Sequence, residues 1–355
     1  MRFIFFFWLF AYSALAQDSL HTNILRIGGQ IHYGSIFAHS PAVENTANSF
    51  PWGLQMEVNW QRTSQKVWDN CHCYPQMGFL ASYYNYDNVI LGKSVQLAYF
   101  LEPTFKLSKR TSFSVRGIVG LSYLTNPYDS IQNPNNRSYS LPISAYLTVA
   151  TGVQIQLDKK WYLNSHLNYQ HISNGGIKDP NKGINWITGS LGVLYTINPI
   201  NLPVRSKKVF VREKELEWEA IGFVSNKGAG VGQKRRFMIG GLSLQANRQI
   251  SPLHAFSVAT EAYWDGALAE RLKQDTLNAS NFRWGWMLGH AFLLGKFRFT
   301  QQIGIYAYSD SPYFSRWYHR WGVIYDVHKK WGIGFNMKAH KQTANFLDLR
   351  AIWKF

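Results

Sequence analysis

The chain has 355 residues, of which 46% are hydrophobic and 16% aromatic, and its formal net charge is +17. Beyond the first sixteen residues it contains no run of about 18 apolar residues, which argues against a helical membrane protein. The rest of the chain consists of short segments in which apolar and polar residues alternate, separated by clusters of Asn, Gly, Pro, Asp and Ser. This alternation favours a fold made of β-strands.

The N-terminus has the pattern of a secretory signal. Arg2 precedes an apolar run over 3–11, and Ala14-Leu15-Ala16 follows with the small residues that signal peptidase prefers. We therefore predict a signal peptide over 1–16 and a mature chain that begins near Gln17. No cysteine follows the run, so a lipoprotein anchor is not expected.

The alternating segments predict about sixteen strands. They lie near 26–37, 51–61, 76–84, 95–105, 112–122, 143–157, 161–173, 185–197, 216–225, 235–248, 253–265, 282–293, 296–308, 317–327, 331–340 and 345–355. An even number of strands with alternating faces is typical of a transmembrane outer-membrane antiparallel β-barrel. The predicted fold class is therefore all-β, and the predicted location is the cell outer membrane.

The number of barrels is less directly encoded. The segment 198–215 contains two prolines and a mixed charge run, which fits either a linker or a long periplasmic crossing. We expect one barrel, since a single closed sheet removes every strand edge. The alternatives are fourteen strands, or an eight-stranded barrel followed by a second β domain. The predicted divisions are 17–200 for the half that carries the candidate site and 201–355 for the remaining strands.

The last strand and the charge indicate partners. Residues 345–355 alternate in polarity and end at the aromatic Phe355, which resembles the assembly signal of outer-membrane proteins, so the barrel assembly machinery is an expected partner. Basic clusters in predicted loops would attract the phosphate groups of a phosphorylated glycolipid, which is therefore an expected partner. Nucleic acid would satisfy the same charge, but it is not expected for an exported barrel.

Cys71 and Cys73 flank His72 in a predicted turn. Their spacing closes too small a ring for an easy disulfide and lacks the four ligands of a structural zinc site. We expect a pair of turn thiols, no metal and no cofactor.

The strand 161–173 carries the chemistry. One face, from Leu167 and Tyr169 to His171 and Ser173, is predicted to contact lipid, while the alternate residues face the lumen. Asn185 on the next strand belongs to the same outer face. Three polar residues are out of place on a lipid-facing wall unless they sit at the interface or act there.

A serine becomes nucleophilic when a neighbouring base takes its proton and a third polar group holds that base in one tautomer. His171 fits the base and Ser173 the nucleophile of an acyl-ester hydrolysis. The following Asn174-Gly175-Gly176 offers amide donors and a tight turn, which would serve as an oxyanion hole. Other histidines, His39 among them, lack this glycine-rich turn and are expected to be loop or lumen residues.

The segment as a whole resembles the active-site segment of the PagL-type lipid A 3-O-deacylases. The resemblance is carried by the pattern His171-x-Ser173-Asn174-x-Gly176-x-x-x-Pro180-Asn181-x-Gly183-Ile184. These outer-membrane barrels hydrolyse an ester-linked hydroxyacyl chain of lipid A, and they place a glutamate where this chain has Asn185. The resemblance implies that His171 is the base, that Ser173 is the nucleophile, and that Asn174 and the Gly176 amide are oxyanion donors. It covers the strands up to about residue 200.

An orienting asparagine can replace the acid by hydrogen bonding, with slower turnover, and Asp179 in the same loop is an alternative orienting group. The expected substrate is lipid A of lipopolysaccharide, with its phosphates near four basic residues: Lys178, Lys234, Arg235 and Arg236. Two other functions stay open. About sixteen strands leave room for the lumen of a channel or transporter, and an acyltransferase would use the same serine chemistry.

Overall fold

The structure is a computed structural model that describes residues 23–175, 177–206, 216–230, 235–341 and 343–355. The predicted signal peptide over 1–16 lies outside the described residues. Alternating polarity produces seventeen strands: β1 Asn23–Ile36, β2 Trp52–Arg62, β3 Gln76–Asn85, β4 Lys93–Glu102, β5 Thr104–Lys106, β6 Thr111–Leu124, β7 Ile143–Gln156, β8 Trp161–Ser173, β9 Ile184–Thr196, β10 Glu217–Gly228, β11 Arg236–Ser251, β12 His254–Asp265, β13 Phe282–Leu294, β14 Phe297–Ser309, β15 Trp317–His328, β16 Trp331–His340 and β17 Thr343–Lys354.

The strands form two closed antiparallel barrels. In the first sheet the order is β4-β3-β2-β1-β9-β8-β7-β6, and pairing of β4 with β6 completes the ring, with the short β5 added beside β6. The second barrel runs from β10 to β17 in chain order, and β10 pairs with β17. The predicted all-β antiparallel barrel fold is therefore confirmed, with sixteen long strands.

The expectation of a single barrel is corrected. β9 returns to pair with β1 through Arg26↔Thr196 to Ile36↔Trp186, so no edge of the first sheet is left for β10. A closed sheet of eight strands satisfies its own backbone, and the next eight strands do the same. The alternative of an eight-stranded barrel followed by a second β domain describes the molecule.

Two predicted loops contain helices. Helix α1, Gln65–Cys71, lies between β2 and β3, and helix α2, Gly266–Gln274, follows β12 with Asp265 as its N-cap. Among the described residues no helix is long and apolar enough to cross a membrane.

The expectation of free turn thiols is also corrected, because Cys71 and Cys73 form a disulfide. The two cysteines come close together because α1 ends between them, where His72 adopts a left-handed conformation with φ of 49°. This turn brings the Cα atoms of the two cysteines to 5.1 Å, inside the range that a disulfide spans.

The interior of the first barrel is filled by a polar network. Arg116 donates to Glu57 at 2.7 Å and to Glu102 at 2.5 Å, and all three side chains are buried. His166 lies 3.0 Å from the same Glu102 carboxylate. Eight strands enclose an interior just wide enough for side chains, so the wide aqueous lumen assumed for the channel hypothesis does not form in this barrel.

We predict that Arg116→Met lowers the free energy of unfolding of the first barrel by about 3–5 kcal/mol, because Glu57 and Glu102 would be left buried without their shared cation. Urea unfolding in detergent micelles measures the change. Arg110→Met is the matched control, since Arg110 is exposed in a turn. Equal midpoints for both variants would contradict the importance of the network.

Candidate active site

The candidate site lies where β8 ends and β9 begins. The register of these antiparallel strands pairs His171 directly with Asn185. Their chain neighbours Ile172, Ile184 and Trp186 point inward and are buried. Because side chains alternate along a strand, His171 and Asn185 belong to the outward side.

The outward side of β8 changes character along its length. Leu167 and Tyr169 are exposed, as expected for a wall in contact with lipid, whereas His171 and Ser173 at the strand end are half-buried. Asn185 is only 7% exposed. The polar trio is thus sheltered by the loops, at the end of the barrel that carries the longer connections.

An aromatic cluster inside the barrel holds the backbone beneath the trio. The Trp186 ring lies 5.4 Å from both the Tyr84 and the Tyr86 ring centroids, and it stacks against Tyr146 at 6.2 Å. All four residues are buried. Close packing leaves Trp186 few alternative rotamers and restrains the backbone that carries it. The backbone of Asn185, its chain neighbour, is therefore held in place.

Hydrogen bonds join the trio into a chain. His171 Nε2 lies 2.9 Å from Ser173 Oγ, and His171 Nδ1 lies 2.6 Å from Asn185 Oδ1. An amide oxygen only accepts, so His171 carries its proton on Nδ1 and donates it to Asn185. Nε2 is then an acceptor, and the Ser173 hydroxyl donates to it. This is the arrangement in which a histidine can remove a serine proton.

A fourth member of the chain, His39, was missed by the sequence reasoning. The Asn185 Nδ2 group donates to His39 Nδ1 at 2.7 Å across 146 positions of sequence. The contact exists because β1 pairs with β9, and the Phe37 N–H continues that pairing by donating to the Asn185 carbonyl at 2.8 Å. The parity of the exposed Tyr33 and Phe37, extended to position 39, was the signal that could have found it.

Gly183 fixes the position of the histidine ring. Its φ is +80°, which favours glycine, and a Cβ at this position would lie 2.7 Å from His171 Cε1. Its N–H donates to the Ser138 carbonyl at 2.7 Å, so the loop around 183 is tied to the neighbouring loop. The glycine of the sequence motif therefore provides the space that the ring occupies.

Asn174, one of the two predicted oxyanion donors, directly follows Ser173. The Asn174 side chain donates to the Lys178 carbonyl at 2.7 Å, and its backbone N–H donates to Asn181 Oδ1 at 2.9 Å. Gly176 lies outside the described residues. Asn174 is thus placed beside the serine, with its donors engaged in holding the loop.

The predicted phosphate contacts are distributed over both barrels. Lys178 is exposed in the loop that follows Ser173. Arg236 begins β11 of the second barrel and donates to Asn226, and Arg235, immediately before that strand, lies over the Phe237 ring at 5.1 Å. Lys234 lies outside the described residues.

Of the two orienting groups considered from the sequence, Asn185 is the one that contacts His171 Nδ1. Asp179 is exposed in the loop, where a cis peptide bond joins it to Pro180.

Two family models match the chain. Residues 50–193 match the family described as lipid A 3-O-deacylase (PagL), and residues 216–355 match the acyloxyacyl hydrolase C-terminal domain. A comparison with curated proteins finds no match.

Among solved structures, the crystal structure of the outer membrane enzyme PagL is similar with a TM-score of 0.36 and 14% identity, over 46% of this chain and 97% of that one. Neisserial surface protein A (NspA) is similar with a TM-score of 0.35 and 10% identity, over 49% of this chain and 97% of that one.

We predict that Gly183→Ala slows the reaction of Ser173 with a fluorophosphonate about tenfold or more. The added methyl displaces the His171 ring and breaks a hydrogen bond that activates the serine. Labelling rates of the purified protein measure this effect. Gly189→Ala is the control, because a Cβ there meets nothing within 4 Å. Unchanged labelling of Gly183→Ala would show that the ring tolerates the added group.

Proposed function

Because the chain belongs to the PagL family of lipid A 3-O-deacylases, which are ester hydrolases of the outer membrane, we propose that it acts through Ser173 and His171 on the lipid-facing wall of its first barrel. The enzyme deacylates lipid A of lipopolysaccharide. The observation that carries the finer proposal is the continuous contact from Ser173 Oγ through both nitrogens of His171 to Asn185.

The proposed reaction has two stages. Ser173 Oγ attacks the ester carbonyl carbon while its proton passes to His171 Nε2, and the tetrahedral intermediate then collapses. The sugar oxygen leaves with the proton from Nε2, and an acyl-serine remains. Water, deprotonated by the same nitrogen, hydrolyses this ester and releases the fatty acid. No cofactor takes part in either stage.

Asn185 is proposed to orient the base without neutralising its charge. Its Oδ1 accepts from His171 Nδ1, which keeps Nε2 free to accept the serine proton. When His171 becomes an imidazolium in the transition state, an amide oxygen stabilises it less than a carboxylate would. We therefore expect a lower kcat than the same site would have with a carboxylate at position 185.

The turn after Ser173 is proposed to stabilise the oxyanion. Asn174 and the Gly176 amide are the proposed donors, as the resemblance implies. The Asn174 N–H donates to Asn181 in the structure, so its contribution requires exchange of that hydrogen bond when substrate binds. Donors directed at this position would stabilise the negative charge that develops on the carbonyl oxygen.

The position of the trio supports a membrane-lipid substrate. His171 and Ser173 share the outward side of β8 with the exposed Tyr169, so the nucleophile adjoins the surface that lipid covers. Lys178, in the loop above, is a proposed contact for a lipid A phosphate. Lys234, Arg235 and Arg236 keep the same proposed role at the second barrel. The barrel assembly machinery remains a predicted partner.

We predict that Ser173→Ala and His171→Ala each abolish deacylation, because one removes the nucleophile and the other its base. Mass spectrometry of lipid A from cells that express each variant measures the loss of one acyl unit. Ser165→Ala is the matched control, since Ser165 is exposed on the same side of the same strand. Heat-modifiable migration verifies folding.

Two results would contradict this assignment. Deacylation that survives both substitutions would place the chemistry elsewhere. A gain of the acyl chain on another lipid, without release of free fatty acid, would indicate an acyltransferase.

We predict that Asn185→Asp raises kcat about tenfold, because the isosteric carboxylate still accepts from His171 Nδ1 and adds a charge partner for the imidazolium. Steady-state hydrolysis of purified lipid A in micelles measures the change. Asn185→Leu keeps a similar size without an acceptor and should lower kcat. Equal kcat for the aspartate and leucine variants would show that position 185 does not orient the base.

A further inference from the structure

We propose that His39 is a positioning residue of this site, and that its role is to hold the Asn185 amide with the oxygen toward His171. The inference rests on the proposed Ser173 and His171 chemistry. His39 touches neither the serine nor the reacting ester in the proposed mechanism, and it acts through Asn185 alone.

An orienting asparagine has a weakness that an orienting carboxylate lacks. Both carboxylate oxygens accept hydrogen bonds, whereas an amide has an accepting side and a donating side. If the Asn185 amide turned by 180°, Nδ2 would donate to His171 Nδ1 and the ring proton would move to Nε2. Nε2 could then no longer take the proton of Ser173. In a serine protease, an asparagine at the orienting position lowers kcat by about 10⁴ through this wrong tautomer.

The contact with His39 favours one of the two orientations when the imidazole accepts the hydrogen bond. Its Nδ1 lies 2.7 Å from Asn185 Nδ2, so with the ring proton on Nε2 it accepts from the amide group. Asn185 then has its oxygen on His171 and its nitrogen on His39, and every donor in the chain points from Ser173 toward His39. With the proton of His39 on Nδ1, the whole chain would run in the opposite sense and the serine would not be activated.

Solvent cannot take over this task easily. Asn185 is 7% exposed, so a reversed amide would have little water to satisfy it. A buried amide group without a partner is destabilising, so a His39 acceptor favours the orientation that places the Asn185 oxygen on His171.

The local fold places His39 with little freedom. Phe37, two residues earlier, is bound by its N–H to the Asn185 carbonyl at 2.8 Å. One residue later Ser40 begins a 3₁₀ turn, Pro41–Thr46, whose Asn45 donates to the Asn135 carbonyl in a neighbouring loop at 2.9 Å. His39 lies between two anchors, so its contact with Asn185 follows from the backbone.

The test compares two substitutions that differ in the group offered to Asn185. His39→Leu fills similar space and has no acceptor. His39→Asp places an acceptor-only oxygen at the same number of bonds from Cα as the imidazole Nδ1. Each variant is made in the native chain, and His39→Leu is also made together with Asn185→Asp, where a carboxylate removes the orientation problem. kcat and KM for purified lipid A are measured for the full chain in micelles, and heat-modifiable migration verifies folding.

We expect His39→Leu to lower kcat at least about tenfold with KM within about twofold, since only the base is affected. His39→Asp should recover most of that loss. In the Asn185→Asp background, His39→Leu should change kcat less than about twofold. Such a difference between the two backgrounds is not expected of a residue that only stabilises the loop.

The inference is overturned if His39→Leu leaves kcat within about twofold of the native enzyme, if His39→Asp is as slow as His39→Leu, or if the loss is the same in both backgrounds. These results leave the proposed function intact as long as Ser173→Ala is inactive. An active Ser173→Ala enzyme would instead remove the proposed function, and with it the basis of this inference.

Discussion

The pairing of β1 with β9 is the contact on which the rest of the molecule depends. It closes the first sheet after eight strands, from Arg26↔Thr196 to Ile36↔Trp186. By closing it there, it leaves no ladder for the following strands and obliges them to form a barrel of their own. The same pairing carries the chain past Phe37 and sets His39 against Asn185. The pairing that closes the first barrel therefore also brings the residues of the candidate site together.

Successive side chains along each strand point alternately into and out of the barrel, so the two sides of a strand have different roles. On β8 the inward Ile172 is fully buried beneath the loops, while the outward His171 and Ser173 stay half-buried at the surface. The interior is satisfied by buried ion pairs such as Arg116 with Glu57, which favour a rigid wall over an open passage. A rigid wall suits the proposed catalysis, because the reacting groups must hold their geometry without support from solvent.

Sequence reasoning recovers whatever depends on local periodicity. The strand predicted over 161–173 is observed as Trp161–Ser173, and the outward parity of His171 follows from the same period of two. Closure is a different matter, since it depends on which strands pair over 170 residues of chain, and no local pattern specifies a partner. Parity along β1 could place His39 on the outward side, but it could not identify Asn185 as its partner, because that contact is created by pairing between distant strands. The disulfide was not predicted because it depends on the left-handed conformation of one residue, His72, which brings the Cα atoms of the two cysteines within bonding range.

Completeness of each sheet has a consequence for how such a chain can change over evolutionary time. Among the described strands, the ladders of β1–β9 and β10–β17 share no hydrogen-bonded pair. Loss or exchange of the second barrel would therefore leave no unpaired strand edge on the first, whereas removal of β9 would open the first barrel and remove Asn185, the contact between His171 and His39. Each eight-stranded ring satisfies its own backbone, and the residues that form the candidate site all come from the first ring.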